Sequence, residues 1–218
     1  MDMTKGSLWR KHPRTPHHPE SPGIASDDKV ASDLTLLENA DVVITEKMDG
    51  ENTTLYRDGF HARSLDSGYH PSRSWLAGFH ASVCQAIPDG WRVCGENLFA
   101  RHSVGYNSLP SYFLAFSVWD RERCLSWEET EHWLAERKIE TVPVLYRGLF
   151  SSAALARVVS NLDVSRQEGC VVRCATSFPV SDFSTHVVKW VRSGHVQTDQ
   201  HWSKAPIVRN RLKHEGLM

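Results

Sequence analysis

The chain has 218 residues, of which 40% are hydrophobic and 23% charged. These proportions are typical of a globular domain with a sizeable core and exclude a disordered or fibrous protein. The net charge of −1 excludes a chain that coats nucleic acid through its overall charge, and no apolar run is long enough for a transmembrane helix.

The first 24 residues predict an irregular arm that is rich in proline and histidine. Pro13, Pro16, Pro19 and Pro22 prevent a long helix there, because proline breaks helix hydrogen bonding. Residues 25–195 then form the predicted domain, and residues 196–218 a basic tail. From His186 onward the chain carries six Lys or Arg residues against two acids, a balance that suits either a solvated face or contact with phosphates.

The domain begins with a predicted strand and hairpin. The apolar run 42–44 leads into Thr45-Glu46-Lys47 and is broken by Met48-Asp49-Gly50. Residues 53–57 and 60–64 then predict two strands that are joined by a turn at Asp58-Gly59.

The remaining elements alternate between helices and strands. We predict helices over 72–87, 126–137 and 151–161, the second beginning at a capping box of Ser126 and Glu129. Predicted strands cover 91–97, 112–119, 142–146, 169–174 and 187–191. The pattern predicts an α+β fold in which a few helices cover antiparallel strands.

Cysteine usage indicates a reducing compartment. The five cysteines are an odd number and include no CxxC pair, which argues against a disulfide framework and against a zinc site of the usual spacing. The N-terminus lacks the apolar stretch of a signal peptide. We therefore expect a cytoplasmic protein.

Lys47 is the strongest candidate for chemistry, because it ends an apolar strand beside a sharp turn. A lysine is a poor nucleophile while it is protonated, and its reference pKa is about 10.4. Desolvation or a nearby cation activates it, whereas carboxylates alone keep it protonated. The acids around Lys47 are therefore best explained if they hold Mg²⁺. A lone Lys-x-Asp-Gly segment is common, and by itself it favours a hairpin whose lysine faces solvent.

Six segments occur in an order that favours the catalytic interpretation. They are Lys47-Met48-Asp49-Gly50, Ala62-Arg63-Ser64, Cys94-Gly95-Glu96-Asn97, Tyr112-Phe113-Leu114-Ala115-Phe116, Glu168-Gly169-Cys170-Val171 and Val187-Val188-Lys189-Trp190. This series resembles the covalent nucleotidyltransferase superfamily of ligases and capping enzymes. Within it, the series is most similar to the ATP-dependent RNA ligase family related to phage T4 RNA ligase 2. The resemblance covers about residues 41–192 and implies an antiparallel-sheet nucleotidyltransferase domain.

The resemblance implies a covalent mechanism that uses ATP and Mg²⁺, with Mn²⁺ as an alternative. Lys47 would attack the α-phosphorus of ATP to form lysyl-AMP, and Lys189 would contact the α-phosphate as pyrophosphate leaves. Asp49 and Glu168 would hold the metal through its water shell, with Asn52 helping to position that water. These residue types suit a hard cation and a transition state with developing negative charge.

The resemblance also implies a set of nucleotide-binding residues. Glu46 would lie against the adenine edge, Arg63 would bind a phosphate or the sugar, Glu96 would bond the ribose hydroxyls, and Phe116 would stack on adenine. Simpler roles remain open: Arg63 on the surface, Phe116 in the core, and Glu168 as the cap of a turn. Residues 101–103 are equally consistent with RNA contact and with a structural role.

The sequence departs from the family pattern in two places. The last motif usually has two lysines separated by one residue, but Val191 stands where the second is expected and Arg192 follows. Arg192 would face the other side of a regular strand, replace the lysine at a bulge, or bind RNA. In addition, the 26 residues after Arg192 are too few for an OB-fold. We therefore expect a minimal catalytic core whose basic tail is a candidate RNA contact.

The leading functional hypothesis is the joining of RNA 5′-phosphate and 3′-hydroxyl ends, with an end-healing kinase or phosphatase as a candidate partner and no membrane. One alternative is a capping guanylyltransferase that uses GTP, or a DNA ligase; the short C-terminal segment argues against both. The other alternative is a non-catalytic module that binds RNA ends. The presence of Lys47, Glu96, Glu168 and Lys189 argues against it.

Overall fold

The computed structural model describes residues 9–194 and 206–213. Two antiparallel sheets dominate this part of the chain, together with four helices. The strands are β1 (Asp41–Lys47), β2 (Glu51–Tyr56), β3 (Gly59–Ala62), β4 (Trp91–Asn97), β5 (Phe113–Asp120), β6 (Arg123–Cys124), β7 (Val144–Leu149), β8 (Gly169–Cys174), β9 (Phe178–Pro179) and β10 (Val187–Val191). The helices are α1 (Ser74–Val83), α2 (Trp127–Glu136), α3 (Ser152–Ser160) and α4 (Phe183–His186).

The strand order is β10-β8-β1-β7 in the four-stranded sheet and β3-β2-β4-β5-β6-β9 in the six-stranded sheet. The predicted α+β class with antiparallel sheets is therefore confirmed. No helix in residues 9–194 or 206–213 has the length and apolarity needed to span a bilayer.

The four-stranded sheet places β1 in its interior, where it pairs with both β7 and β8. Residues 42–45 are buried in succession, because one face of the strand packs on α3 and the other on the second sheet. This explains why the sequence shows a continuous apolar run there instead of an alternating one. The run ends at Glu46 and Lys47, where β1 reaches the edge of its core.

The turn Met48-Asp49-Gly50 carries the chain from one sheet to the other, since β1 and β2 belong to different sheets. A Cβ on Gly50 would lie 2.6 Å from the carbonyl oxygen of Asn97 and 2.7 Å from Cδ2 of Leu98. Only glycine therefore fits against the end of β4. The consequence is that Lys47 is held where the two sheets meet.

Helix α2 begins at the predicted capping box: the Ser126 side chain accepts from the Glu129 amide, and the Glu129 carboxylate accepts from the Ser126 amide. The predicted helix over 72–87 is divided into a 3₁₀ turn, α1 and a second 3₁₀ turn. Its predicted apolar face is confirmed, because Trp75, Phe79 and Val83 all pack on the core between α1 and the six-stranded sheet.

Two predicted strands have different bounds in the structure. The strand predicted over 142–146 is shifted to β7, since the amide of Val142 bonds Ala115 of the other sheet and Pro143 interrupts the pairing. The strand predicted over 60–64 ends at Ala62. Strands β6 and β9 and helix α4 were not predicted, because elements of two to four residues are too short to show a periodic pattern.

Both terminal segments pack on the domain where they are described. The arm has the predicted irregular course, but His17 forms bridges with Val30 and with Lys189 of β10. Residues 206–213 run beside the 98–109 segment, with bridges from Arg209 to Ala100 and from Leu212 to Leu109. Lys204, which belongs to the predicted RNA contact, lies outside the described residues.

Candidate active site

A cavity of about 240 Å³ lies between the two sheets, beside the end of β1. The strands of both sheets and the N-terminal arm contribute to its wall. Seven of the nine predicted site residues line it, namely Glu46, Lys47, Asn52, Arg63, Glu96, Phe116 and Lys189. The other two, Asp49 and Glu168, are not part of this lining, but Glu168 contacts Lys47.

Lys47 forms an ion pair with Glu168 at 2.5 Å between Nζ and Oε2. The pairing register places Lys47 opposite Gly169, the neighbour of Glu168, so β1 and β8 bring the two side chains together. A Cβ on Gly169 would collide with the carbonyl oxygen of Trp190 on β10. Burial lowers the pKa of Lys47, but the charges of Glu168, Glu96 and Asp49 outweigh burial and hold that pKa above its ordinary value.

Glu96 enters the same cavity from β4 of the other sheet. Burial raises the pKa of Glu96 to about 8; the Lys47 ammonium opposes this shift, and the nearby carboxylates of Glu168, Asp49 and Glu51 reinforce it. At neutral pH the carboxyl group is therefore largely protonated and can donate a hydrogen bond. This property suits a group that is expected to bond ribose hydroxyls.

Two further cations face the cavity. Lys189 projects from β10, and its Nζ lies 3.8 Å from the carboxylate of Asp28, in the segment that follows the arm. Burial, the Lys47 ammonium and the Arg63 guanidinium lower the pKa of Lys189, while Asp28 and Glu168 raise it less. Arg63 is exposed at the end of β3. Together, Lys47, Lys189 and Arg63 form a positive wall that suits phosphate oxygens.

Asp49 has a structural role that the sequence did not reveal. Its Oδ2 accepts hydrogen bonds from the amides of Ser103 and Val104, at 2.8 and 2.6 Å. Its own amide donates to the hydroxyl of Tyr106 at 2.9 Å. The loop 103–106 therefore fixes the turn that follows Lys47, and the main-chain amide of Ser103 takes part in this contact.

Asn210 fixes that loop from the C-terminal segment. It is 2% exposed; its Oδ1 accepts from the amide of Tyr106 at 2.9 Å, and its Nδ2 donates to the carbonyl oxygen of Leu98 at 2.8 Å. The hydroxyl of Tyr112 donates to its main-chain oxygen at 3.0 Å. The tail thus reaches the Lys47 turn through Asn210, Tyr106 and Asp49.

The donor groups fit a divalent cation that is held mainly by phosphate and water. Oδ1 of Asn52 is buried beside the cavity and has no hydrogen-bond partner among the described residues. Such an oxygen is costly unless a ligand satisfies it. Within residues 9–194 and 206–213, however, no three His, Cys, Asp or Glu side chains form a metal cage. A single side-chain oxygen of this kind suits Mg²⁺, which keeps several waters and binds substrate phosphates.

Part of the cavity wall is apolar and aromatic. Phe116 of β5 and Val171 of β8 are half-buried there, and both pack on a cluster that includes Trp119 and Phe183. Glu46 bonds Nε2 of Gln167 through Oε2 at 2.8 Å, and its amide donates to Pro143. Burial raises the pKa of Glu46, which the Gln167 bond partly offsets. An aromatic slot between two sheets suits a purine base.

Arg192 does not replace the missing lysine at a bulge. Pairing between β10 and β8 is regular from Val187 to Val191, without a bulge. The Arg192 side chain is 8% exposed and donates to the carbonyl oxygens of Gln167, Ser193 and Gly194. It therefore closes the end of the four-stranded sheet next to Glu168.

Several residues of the cavity wall were not predicted from the sequence. Residues 12–15 of the arm line the cavity, as do Asp28, which follows the arm, and Arg173. Asp28 also bonds Arg14 at 3.2 Å and lies 3.1 Å from Nε2 of His17. An irregular arm has no periodic pattern, so the sequence carries no local signal that places it beside the cavity.

Comparisons with known proteins give a consistent result. A family model described as RNA ligase matches residues 40–191. A search of curated protein sequences found no match. The matched region begins just before β1 and ends with β10, so it contains every predicted site residue.

Solved RNA ligase structures share the fold. A Naegleria gruberi RNA ligase with pyrophosphate superimposes with a TM-score of 0.57 at 13% identity, covering 85% of this chain and 56% of that one. A variant of the Naegleria enzyme with ATP and manganese gives 0.56 at 12% identity, covering 88% and 58%. An archaeal ATP-dependent RNA ligase gives 0.58 at 15% identity, covering 84% and 48%. The chain thus spans about half to three-fifths of the length of these structures.

Proposed function

The chain belongs to the RNA ligase family, and from that premise we propose that it joins RNA ends with ATP by carrying AMP on Lys47. The products of the three steps are lysyl-AMP, an RNA whose 5′-phosphate carries AMP, and a sealed phosphodiester. ATP is the proposed nucleotide, with Mg²⁺ or Mn²⁺ as the metal. Solved relatives with ATP and manganese support this choice.

One observation carries the proposal: the Lys47 amine lies where the two sheets meet, at the wall of a cavity that also contains an aromatic slot. A purine in that slot would direct its phosphates toward the positive wall of Lys47, Lys189 and Arg63. The nucleophile and the cations that stabilise the leaving charge would then share one end of the cavity.

In the first step, Nζ of Lys47 attacks the α-phosphorus of ATP. A nitrogen–phosphorus bond forms, the bond from phosphorus to the bridging oxygen of the β-phosphate breaks, and pyrophosphate leaves. The ammonium must first lose a proton, and Oε2 of Glu168 at 2.5 Å is placed to accept it. A bound divalent cation would supply positive charge to the phosphates. Asn52 is the residue whose uncommitted oxygen fits its water shell.

In the later steps the RNA 5′-phosphate takes AMP from Lys47, and a 3′-hydroxyl displaces it. These steps require a 5′-phosphate and a 3′-hydroxyl, so we propose that a kinase or phosphatase prepares broken ends.

The cysteines Cys84, Cys94, Cys124, Cys170 and Cys174 are all unpaired, which supports the proposed reducing, cytoplasmic setting.

Sealing of a nicked RNA duplex tests the proposal. The full chain with ATP and Mg²⁺ should convert a labelled 5′-phosphate strand first to an AMP-capped strand and then to a sealed product. Lys47→Ala should abolish sealing with ATP. It should still join a strand that is supplied already adenylylated, because that step does not use the lysine. Loss of both reactions in a folded variant would contradict the assigned role.

Parallel reactions separate the alternatives. A guanylyltransferase would label with GTP and transfer GMP to RNA that bears a 5′-diphosphate, whereas a DNA ligase would prefer nicked DNA. A non-catalytic module would bind RNA ends equally well with and without Lys47. Single strands and a cleaved tRNA loop, offered alongside the nicked duplex, identify the class of RNA that is joined.

A further inference from the structure

The N-terminal arm crosses the aromatic end of the cavity and is fixed on both sides of it. On one side, the amide of Arg10 donates to the Tyr56 hydroxyl of β2 at 2.7 Å, and that hydroxyl donates back to the Arg10 carbonyl at 3.1 Å. On the other side, the amide of Lys189 donates to Pro16 at 2.9 Å, and the amide of His18 donates to Lys189 at 2.7 Å. The residues between these anchors are held in place over the slot.

His12 is the polar ring that this arm places in the slot. Its ring centroid lies 5.1 Å from that of Phe116 and 5.2 Å from that of Phe183, edge-on to both, and 6.5 Å from that of Trp119. His12 also lines the cavity itself. A base that stacks on Phe116 would therefore meet the His12 ring at its edge.

The hydrogen bonding of His12 defines its tautomer. Nδ1 lies 3.0 Å from the carbonyl oxygen of Pro13, and a carbonyl only accepts, so Nδ1 carries the proton. Burial lowers the pKa of His12 to about 4; the Pro13 bond opposes this shift, and the charges of Arg92 and Arg63 add to it. The ring is therefore neutral at physiological pH, and Nε2 presents a lone pair.

Nε2 is available to a molecule in the cavity. No described residue forms a hydrogen bond with Nε2, and Nε2 is not one of the fully buried polar atoms that lack a partner. Other polar groups at this end are engaged: the Arg173 guanidinium donates to the carbonyls of Leu125 and Cys174, and the Ser117 hydroxyl accepts from Nε1 of Trp119.

We infer that Nε2 of His12 accepts a hydrogen bond from the 6-amino group of adenine and so selects ATP over purine nucleotides with a 6-oxo group. An amino group supplies the donor that this lone pair requires. A 6-oxo group would instead place two acceptors against each other, and neither could satisfy the other. The inference rests on the proposed function, because it assigns the base specificity of the Lys47 reaction.

Single-turnover formation of the Lys47 adduct, followed by intact mass, tests the inference with three triphosphates. They are ATP, purine riboside triphosphate, which lacks the 6-amino group, and ITP, which carries a 6-oxo group. For the unaltered chain we expect kcat/KM for adduct formation to fall about tenfold from ATP to purine riboside triphosphate, and further for ITP.

His12→Phe keeps an aromatic ring but removes the lone pair. We expect it to lose about tenfold with ATP, to be nearly unchanged with purine riboside triphosphate, and so to bring the three rates together. His12→Gln, whose amide can accept or donate, should restore ATP use and tolerate ITP. Lys11→Ala, at the exposed neighbouring position, should keep the original selectivity.

Two results would overturn the inference. In one, His12→Phe and His12→Gln both keep the original ratios among the three nucleotides. In the other, both variants react faster with all three nucleotides equally, which would show that the ring obstructs the slot. Failure of the unaltered chain to form an adduct with any nucleotide would instead refute the proposed function, so the two failures are distinguishable.

Discussion

Nζ of Lys47 lies 2.5 Å from Oε2 of Glu168, and the two side chains are 25% and 9% exposed. The proposed nucleophile is therefore held as an ammonium while the nucleotide is absent. The same contact provides a nearby proton acceptor and keeps the side chain pointed along the cavity wall. Activation then depends on reducing the negative charge around Lys47, which a metal–nucleotide complex can do.

The first prediction concerns the pKa of Lys47 in Glu168→Gln. The Glu168 charge raises this pKa, so its removal should lower the value and expose the opposing effect of burial. We expect the pH midpoint for modification of Lys47 by an amine-specific reagent, measured by peptide mass, to shift downward. Glu20→Gln, at an exposed position of the arm, is the matched control, and an unchanged midpoint in Glu168→Gln would contradict the account.

The second prediction concerns Glu96 and the free energy of unfolding. The pKa of Glu96 is raised from 4.5 to about 8 in the folded chain, so the native state holds its proton more tightly than the unfolded state. The stabilisation is complete below the unfolded pKa and is lost as pH rises through the folded pKa. Between pH 5 and 9, Glu96→Gln should therefore become more stable relative to the unaltered chain by about 1–3 kcal/mol.

Chemical denaturation at several pH values measures this difference. Glu38→Gln, which changes an exposed carboxyl group, should show no comparable trend. A constant difference between Glu96→Gln and the unaltered chain would mean that Glu96 is not held in its protonated form.

The third prediction links the C-terminal segment to the Lys47 turn. Asn210→Ala removes the hydrogen bonds to the Tyr106 amide and to the buried carbonyl oxygen of Leu98, and it leaves both groups without these partners. We expect it to destabilise the fold by about 2–4 kcal/mol and to slow adduct formation, because the loop that holds Asp49 loses its anchor. Arg211→Ala, at the exposed neighbouring position, should change stability by less than about 0.5 kcal/mol. Equal effects of the two variants on stability and adduct formation would contradict this prediction.

The fourth prediction concerns Arg192, which follows the position of the missing second lysine. Its guanidinium donates to three carbonyl oxygens, a geometry that a lysine cannot reproduce. Arg192→Lys should therefore cost about 1–2 kcal/mol of stability and leave the rate of adduct formation per folded molecule nearly unchanged. The opposite result, an intact fold with a large loss of rate, would assign Arg192 to phosphate binding.

The sequence indicated seven residues of the cavity wall, because they lie in short contiguous segments within strands or at their ends. An apolar strand ends at Lys47, and two others are interrupted by Glu96 and Lys189. A charged side chain at such a position indicates a functional site, because burying a charge without a partner is costly. The capping box of α2 and the hairpin of β2 and β3 are likewise local features. Such features depend on neighbouring residues and are visible without the fold.

The residues that the sequence missed act through contacts between distant and irregular segments. Asn210 bonds a loop 104 residues earlier in the chain, and His12 reaches Phe116 across a similar separation. Neither lies in a periodic element, and neither residue type is distinctive alone. The sequence of the tail likewise revealed only its positive charge. The packing of the tail depends instead on its buried residues Asn210 and Leu212.

The most direct test of the central claim is the intact mass of the chain after incubation with ATP and Mg²⁺. The account predicts the addition of one AMP, its removal by pyrophosphate, and its absence in Lys47→Ala. Protein purified in the adenylylated form would show the same chemistry as a loss of mass on pyrophosphate treatment. The claim is contradicted if no AMP is found before or after these treatments, or if the adduct persists in Lys47→Ala.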